Sequence, residues 1–146
     1  MKAARFAIDT SCLIPLISEW HEHHQRTVAC YEEFLAKRAA PVIPIHAILE
    51  SFSVLTRLPP PRRMTPEIVK QTLEHDFLPS AVMPGVEVRT AWSAIETLAH
   101  LELGGGRVYD AIIAYSAAGA GAAVLLTWNV KHFLPLAPSG LEVREP

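Results

Sequence analysis

Apolar positions in this chain come either in short unbroken runs or at helical spacing. The run Phe6-Ala7-Ile8 ahead of Asp9 predicts a buried strand over Arg5 to Asp9. Thr10 and Ser11 read as N-cap residues of a helix running through Trp20, with Pro15 near its first turn. Val28, Tyr31, Phe34 and Leu35 form one side of a helix over His23 to Arg38. Pro41-Val42-Ile43-Pro44 is a second short strand. Ile45, Ile48, Leu49, Phe52 and Leu55 give the helix His46 to Arg57 an apolar stripe, with His46, Glu50, Ser53 and Arg57 on the polar side. Pro59-Pro60-Pro61-Arg62-Arg63 is a stiff, exposed connector that ends this helix.

Thr65-Pro66-Glu67 opens the next helix, through Phe77. Ala81-Val82-Met83 reads as a third strand, and Glu87 to Leu101 as a helix with Trp92, Ile95 and Leu98 inward. Gly104-Gly105-Gly106 breaks the chain before a helix, Arg107 to Ala118, that is apolar on nearly every side and therefore expected to be buried. Ala123 to Thr127 is the clearest strand, and Leu141 to Arg144 closes the sheet. Strands alternating with helices predict one α/β domain over residues 1–146, built on a mainly parallel sheet. Such sheets carry their sites at the carboxyl ends of the strands.

That rule draws attention to a few polar residues. Only three aspartates occur, Asp9, Asp76 and Asp110, and two of them sit in apolar surroundings. A buried carboxylate is costly unless it is paired or bound to a cation. The ordinary explanation of Asp9 is an N-cap, and of Asp110 a buried group near a helix N-terminus. Glu50 by itself reads as a solvated partner of His46, four residues away. Asn129, just past the strongest strand, reads as a turn residue. Taken together, Asp9, Glu50, Asp110 and Asn129 form one candidate constellation, Asp9 and Asn129 at strand ends and Glu50 and Asp110 on helices. Three carboxylates on one edge repel each other without a cation. Hard oxygen donors without cysteine suit Mg²⁺ or Mn²⁺ and phosphodiester chemistry. Asp76, in Glu74-His75-Asp76, reads as surface.

The bulk numbers narrow the field. The chain has 146 residues, is 50% hydrophobic and carries a net charge of −2, which fits a packed domain rather than a polybasic one. No apolar run reaches the ~18–20 residues of a membrane span, and the start lacks the apolar core of a signal peptide. Two cysteines make no disulfide framework, so a cytoplasmic location is expected. His21-Glu22-His23-His24 lacks the second histidine of a zinc-protease helix and reads as a solvated helix start. No phosphate-binding glycine loop is present.

Four segments, taken in order, resemble the successive motifs of PIN-domain proteins. They are Phe6-Ala7-Ile8-Asp9-Thr10-Ser11-Cys12-Leu13, Ala47-Ile48-Leu49-Glu50-Ser51-Phe52, Arg107-Val108-Tyr109-Asp110-Ala111-Ile112-Ile113-Ala114, and Leu125-Leu126-Thr127-Trp128-Asn129-Val130-Lys131-His132-Phe133. In size the chain is similar to the stand-alone toxin ribonucleases of VapBC type. The resemblance implies an α/β/α sandwich and an endoribonuclease dependent on Mg²⁺ or Mn²⁺. It implies Asp9, Glu50 and Asp110 as the acids that hold the metal. The fourth position, usually acidic, is Asn129, which makes a second metal less secure. It implies Thr10 and Thr127 as hydroxyl helpers, a homodimer, an RNA substrate and a small antitoxin. Arg57, Arg62, Arg63, Arg107 and Lys131 are the candidate phosphate contacts. The alternatives are a catalytically weak PIN scaffold that binds RNA or a protein, and a metal-dependent phosphatase. The phosphatase wants an aspartate where Ser11 stands.

Overall fold

A computed structural model describes residues 4–146. Four strands, β1 (Arg5–Ile8), β2 (Ala40–Val42), β3 (Val124–Leu126) and β4 (Glu142–Arg144), form one sheet in the order β2-β1-β3-β4. Every pairing is parallel. Seven α-helices fill the connections: α1 (Thr10–Ile17), α2 (His24–Ala36), α3 (Ile45–Arg57), α4 (Pro66–Asp76), α5 (Val88–His100), α6 (Arg107–Gly119) and the single turn α7 (Val130–Phe133).

Phe6, Ala7 and Ile8 point alternately to the two faces of the sheet, yet all three are buried. Helices therefore cover both faces, as a parallel sheet requires. On one face Phe6 stacks on Phe34 and meets Tyr31 edge-on, which docks α2 against the sheet. A second, smaller cluster of Ala94, Leu98, Ala111 and Leu136 joins α5 to α6.

The chain leaves β1 toward β2 on one side and returns at β3 on the other. The gap between β1 and β3 is thus the topological switch point, where α/β sheets open a crevice at their carboxyl ends. The register sets Ile8 beside Leu126. The next residue of each strand, Asp9 and Thr127, is therefore delivered to that crevice side by side.

Several sequence expectations shift. Asp9, not Thr10 or Ser11, is the N-cap of α1, because its carboxylate accepts the Cys12 N–H. That helix stops at Ile17 rather than Trp20, where Ser18 turns to extended backbone. Ala81 to Met83 contributes one parallel bridge, Val82 to Val42, and no strand. Val82 N–H bonds Pro41 O, Ile43 N–H bonds Val82 O and Ile45 N–H bonds Pro84 O, while Pro41 and Pro84 have no N–H to complete a ladder.

Trp92 and Ile95 face outward, since α5 meets α6 through the small residue Ala94 and through Leu98. In the same way α3 buries Ala47, Ser51 and Leu55 and leaves Leu49 and Phe52 exposed. The helix α6 is buried along its second half only. Its first turn is open, with Tyr109 exposed and Asp110 half-buried. The proline connector is exposed and follows α3 as expected.

Candidate active site

The site is built on the carboxyl ends of β1 and β3. Asp9 is nearly fully buried. Its Oδ1 accepts the Ser11 hydroxyl at 2.7 Å and the Cys12 N–H at 3.2 Å. Its Oδ2 accepts the Thr127 hydroxyl at 2.7 Å. Each hydroxyl also receives a backbone N–H from the segment that follows β3. Ser11 Oγ accepts from Trp128 at 2.8 Å, and Thr127 Oγ1 accepts from Asn129 at 2.9 Å. The two hydroxyls therefore have to spend their protons on Asp9. The carboxylate is locked in orientation by residues 118 positions apart.

Burial pushes the Asp9 carboxyl up to about 6. The three hydrogen bonds oppose that shift, and the charge of Asp110 adds to it. Asp110 stands on the open first turn of α6. Burial raises its carboxyl as well, against the pull of His132 and Arg107, and Glu50 raises it further as a like charge. Arg107 Nε lies 3.5 Å and His132 Nδ1 3.8 Å from Asp110 Oδ2. Glu50 is more exposed and meets His46 Nε2 at 3.3 Å. That imidazole is stacked at 4.8 Å on Tyr109, which ties the Glu50 helix to the Asp110 helix.

Asp110 is electrostatically coupled to both of the other acids, raising Asp9 and being raised by Glu50. Among the described residues no three His, Cys, Asp or Glu side chains converge to enclose an ion. The donors still fit a divalent ion of the hard kind. Mg²⁺ takes one or two carboxylates and keeps several waters. Asp9 has about four lone-pair sites, of which three are used, leaving one on Oδ2. Burial, with a smaller contribution from like charge, lifts Asp9 and Asp110, and a cation would offset both.

The other expected residues fall less evenly. Thr10 Oγ1 is buried and has no partner; Ser11 does the work expected of it. Asn129 sits at the start of α7, is exposed, and does not cap that helix with its side chain. Arg107 is engaged by Asp110 and by the His132 carbonyl, and Arg63 by the Leu58 carbonyl at 2.8 Å. Arg57 and Lys131 are exposed, and Arg62 lies over Trp20 at 4.3 Å. Sequence reasoning missed Ser11, His46 and His132 as members of the site. The signal for Ser11 was its place two residues beyond a strand-end aspartate. His46 and His132 had none beyond proximity in sequence to Glu50 and Asn129.

Glu50 carries a direct test. Glu50→Gln keeps the length of the side chain and removes the charge. We expect a stability change within about 0.5 kcal/mol, as for exposed pairs, together with a tenfold or greater loss of cleavage. Thermal melts and initial rates on the same preparation measure both, and an unchanged rate would remove Glu50 from the site.

A family model described as PIN domain matches residues 6–132. The chain is 34% identical to Ribonuclease VapC40 of Mycobacterium tuberculosis (strain ATCC 25618 / H37Rv) over 119 residues, covering 82% of this chain and 83% of that one. It is 38% identical to Ribonuclease VapC27 of the same strain over 112 residues, covering 77% and 76%. Among solved structures it is similar to Mycobacterium tuberculosis VapC20, described as a Sarcin-Ricin loop cleaving toxin, with a TM-score of 0.65 at 15% identity over 91% of this chain and 99% of that one. DNA-bound VapBC from Salmonella typhimurium gives a TM-score of 0.68 at 20% identity over 97% and 98%. At these identities the structural likeness speaks to the fold alone.

Proposed function

The chain belongs to the PIN-domain family, and from that premise we propose that it is an endoribonuclease toxin of VapBC type, an RNA-cleaving hydrolase that uses Mg²⁺ or Mn²⁺. The observation that carries the reading is the pair Asp9, at the switch point of a parallel sheet, and Asp110, on the first turn of α6, two carboxylates raised chiefly by burial, with Asp110 adding its charge at Asp9 and Glu50 its own at Asp110. Perturbed acids in such a place mark a working site.

Asp9 and Asp110 would hold the ion, and Glu50 would reach it through water. When bound, the ion polarises the phosphodiester and lowers the pKa of an attacking water. Ser11 and Thr127 keep Asp9 in one orientation throughout. Asp110 Oδ2, the carboxylate oxygen beside His132, would take the proton of the attacking water. His132, 3.8 Å from that oxygen, passes it to solvent. In-line attack then leaves a 5′-phosphate and a 3′-hydroxyl. Lys131 and Arg62 are the basic side chains best disposed toward flanking phosphates.

The partners follow the same reading. The structural neighbours solved as VapBC assemblies support a small antitoxin as partner. The outward side of α5, with Val88, Trp92 and Ile95, supports a homodimer. No helix of the described residues is long and apolar enough to cross a membrane, which is compatible with work on cytoplasmic RNA.

The deciding assay incubates purified protein with structured RNA in Mg²⁺, in Mn²⁺ and in EDTA, beside Asp110→Asn. Cleavage should require the metal and fall at least a thousandfold in the variant. Cleavage that persists in EDTA or in Asp110→Asn would overturn the mechanism. RNA bound but uncut under every metal would favour a binding scaffold instead.

A further inference from the structure

The reaction at Asp9 and Asp110 makes no use of the segment Trp20-His21-Glu22-His23, which leads into the start of α2, with His23 as its N-cap. The rings of this segment make a row that begins at the catalytic strand end. Trp128 lies flat against the His23 imidazole, with centroids 3.8 Å apart and planes 8° from parallel. His23 is followed by His21 at 5.5 Å, and His21 by Trp20 at 5.6 Å. The Arg62 guanidinium closes the row, 4.3 Å above the Trp20 ring.

The inner end of the row is fixed to the active site. Trp128 donates its Nε1–H to Thr27 Oγ1 at 3.0 Å and its backbone N–H to Ser11 Oγ, the same hydroxyl that binds Asp9. Beside the row lies a cavity of about 310 Å³, lined in part by Ser11, Pro15, His21, His23, Trp128 and Asn129. His21 Nδ1 accepts the His23 N–H at 3.1 Å, so that nitrogen carries no proton and the ring is neutral. The wall of the cavity carries the rings of His21, His23 and Trp128, of which His23 and Trp128 are nearly parallel, with the exposed Glu22 carboxylate also lining it, and the Trp20–Arg62 pair continues the row beyond it. Single-stranded RNA is held by this combination: bases stack on rings while arginines follow the phosphates. A zinc site fails here, because no third ligand joins these histidines among the described residues.

We propose that this cavity is the base-recognition subsite. One unpaired nucleobase next to the cleaved phosphodiester seats against the His21–His23 imidazoles, and the Asn129 amide reads its edge. The Trp20–Arg62 end of the row holds the next nucleotide. The proposal rests on the ribonuclease reading of the neighbouring acids. It also gives Asn129 a purpose. A carboxylate there would repel the phosphate backbone, whereas an amide offers a donor and an acceptor side by side, as base edges require.

The test uses full-length Asp9→Asn protein, so that RNA is bound and not cut, with Trp92→Phe to remove the remote tryptophan on α5. A 12-nucleotide single-stranded RNA is compared with an abasic strand of the same length, following tryptophan emission and anisotropy. The RNA should quench emission and bind about tenfold tighter than the abasic strand. Trp20→Ala and His21→Ala should each lower RNA affinity about five- to tenfold and leave abasic binding unchanged, with circular dichroism confirming the fold. Asn129→Ala, in protein with Asp9 intact, should alter which base flanks the cut. Equal binding of RNA and abasic strand, or equal loss of both in the variants, would overturn the subsite. If the parent protein still cleaves RNA in that case, the ribonuclease reading stands without it. Base-dependent binding with no cleavage in Mg²⁺ or Mn²⁺ would do the reverse.

Discussion

Asp9→Asn will abolish RNA cleavage and at the same time make the metal-free protein more stable at neutral pH. The folded carboxyl titrates at about 6, against ~3.9 in an unfolded chain. Below ~4 both states are protonated and the residue is neutral in stability. As pH rises from ~4 to ~6 the unfolded chain gives up its proton first, so the fold loses stability across that window. Above ~6 the loss is complete, at about 2–3 kcal/mol. Asparagine carries no charge to desolvate and serves as an N-cap about as well as aspartate. The variant should therefore melt a few degrees above the parent at pH 7.5 in EDTA, and level with it near pH 4. Cleavage should fall at least a thousandfold. A variant that melts lower at pH 7.5 would mean that Asp9 is not held at a cost, and residual cleavage near the parent rate would mean that it is not a catalytic residue.

Thr127→Val removes a single oxygen and tests how the carboxylate is held. Thr127 is fully buried and donates to Asp9 while accepting the Asn129 N–H. Valine of nearly the same shape does neither. Hydrogen bonds to charged groups contribute ~1.5–3 kcal/mol, and the variant should lose about that much at pH 8, where Asp9 is ionised. The loss should be smaller at pH 5, where Asp9 is protonated. The same bond holds the Asp9 carboxyl down, so without it the acid limb of the pH–rate profile should move upward by about one unit. Thr127→Ser should restore the limb. A purely structural threonine would lower stability equally at both pH values and leave the profile where it was.

The sheet was legible because its strands are short apolar runs between helical stretches. The placement of Asp9 and Asp110 was legible because a carboxylate in apolar text needs a reason. The lateral facing of helices was not. Periodicity gives the width of an apolar stripe, while small residues such as Ala94 and Ala47 decide which line of it touches a neighbour. Trp92, Leu49 and Phe52 were misread for that cause. The extent of burial of Asp110 was misread because the first turn of α6 is open although its remainder is not. Ser11 and the stacked histidines escaped notice since their partners, Thr127 and Trp128, lie more than a hundred residues away. No local pattern encodes such contacts.

That separation has a bearing on biosynthesis. The two halves of the crevice are β1 and β3, far apart in the chain, and Asp9 Oδ2 gains its partner only when Thr127 arrives beside it. A chain still being translated, with its N-terminal helices already formed, holds Asp9 by Oδ1 alone and lacks Thr127 and Trp128. A nuclease assembled in this order has an incomplete site while it is near the ribosome that is making it. Its activity begins only once β3 has emerged and paired, which leaves an antitoxin the whole of synthesis to be on hand.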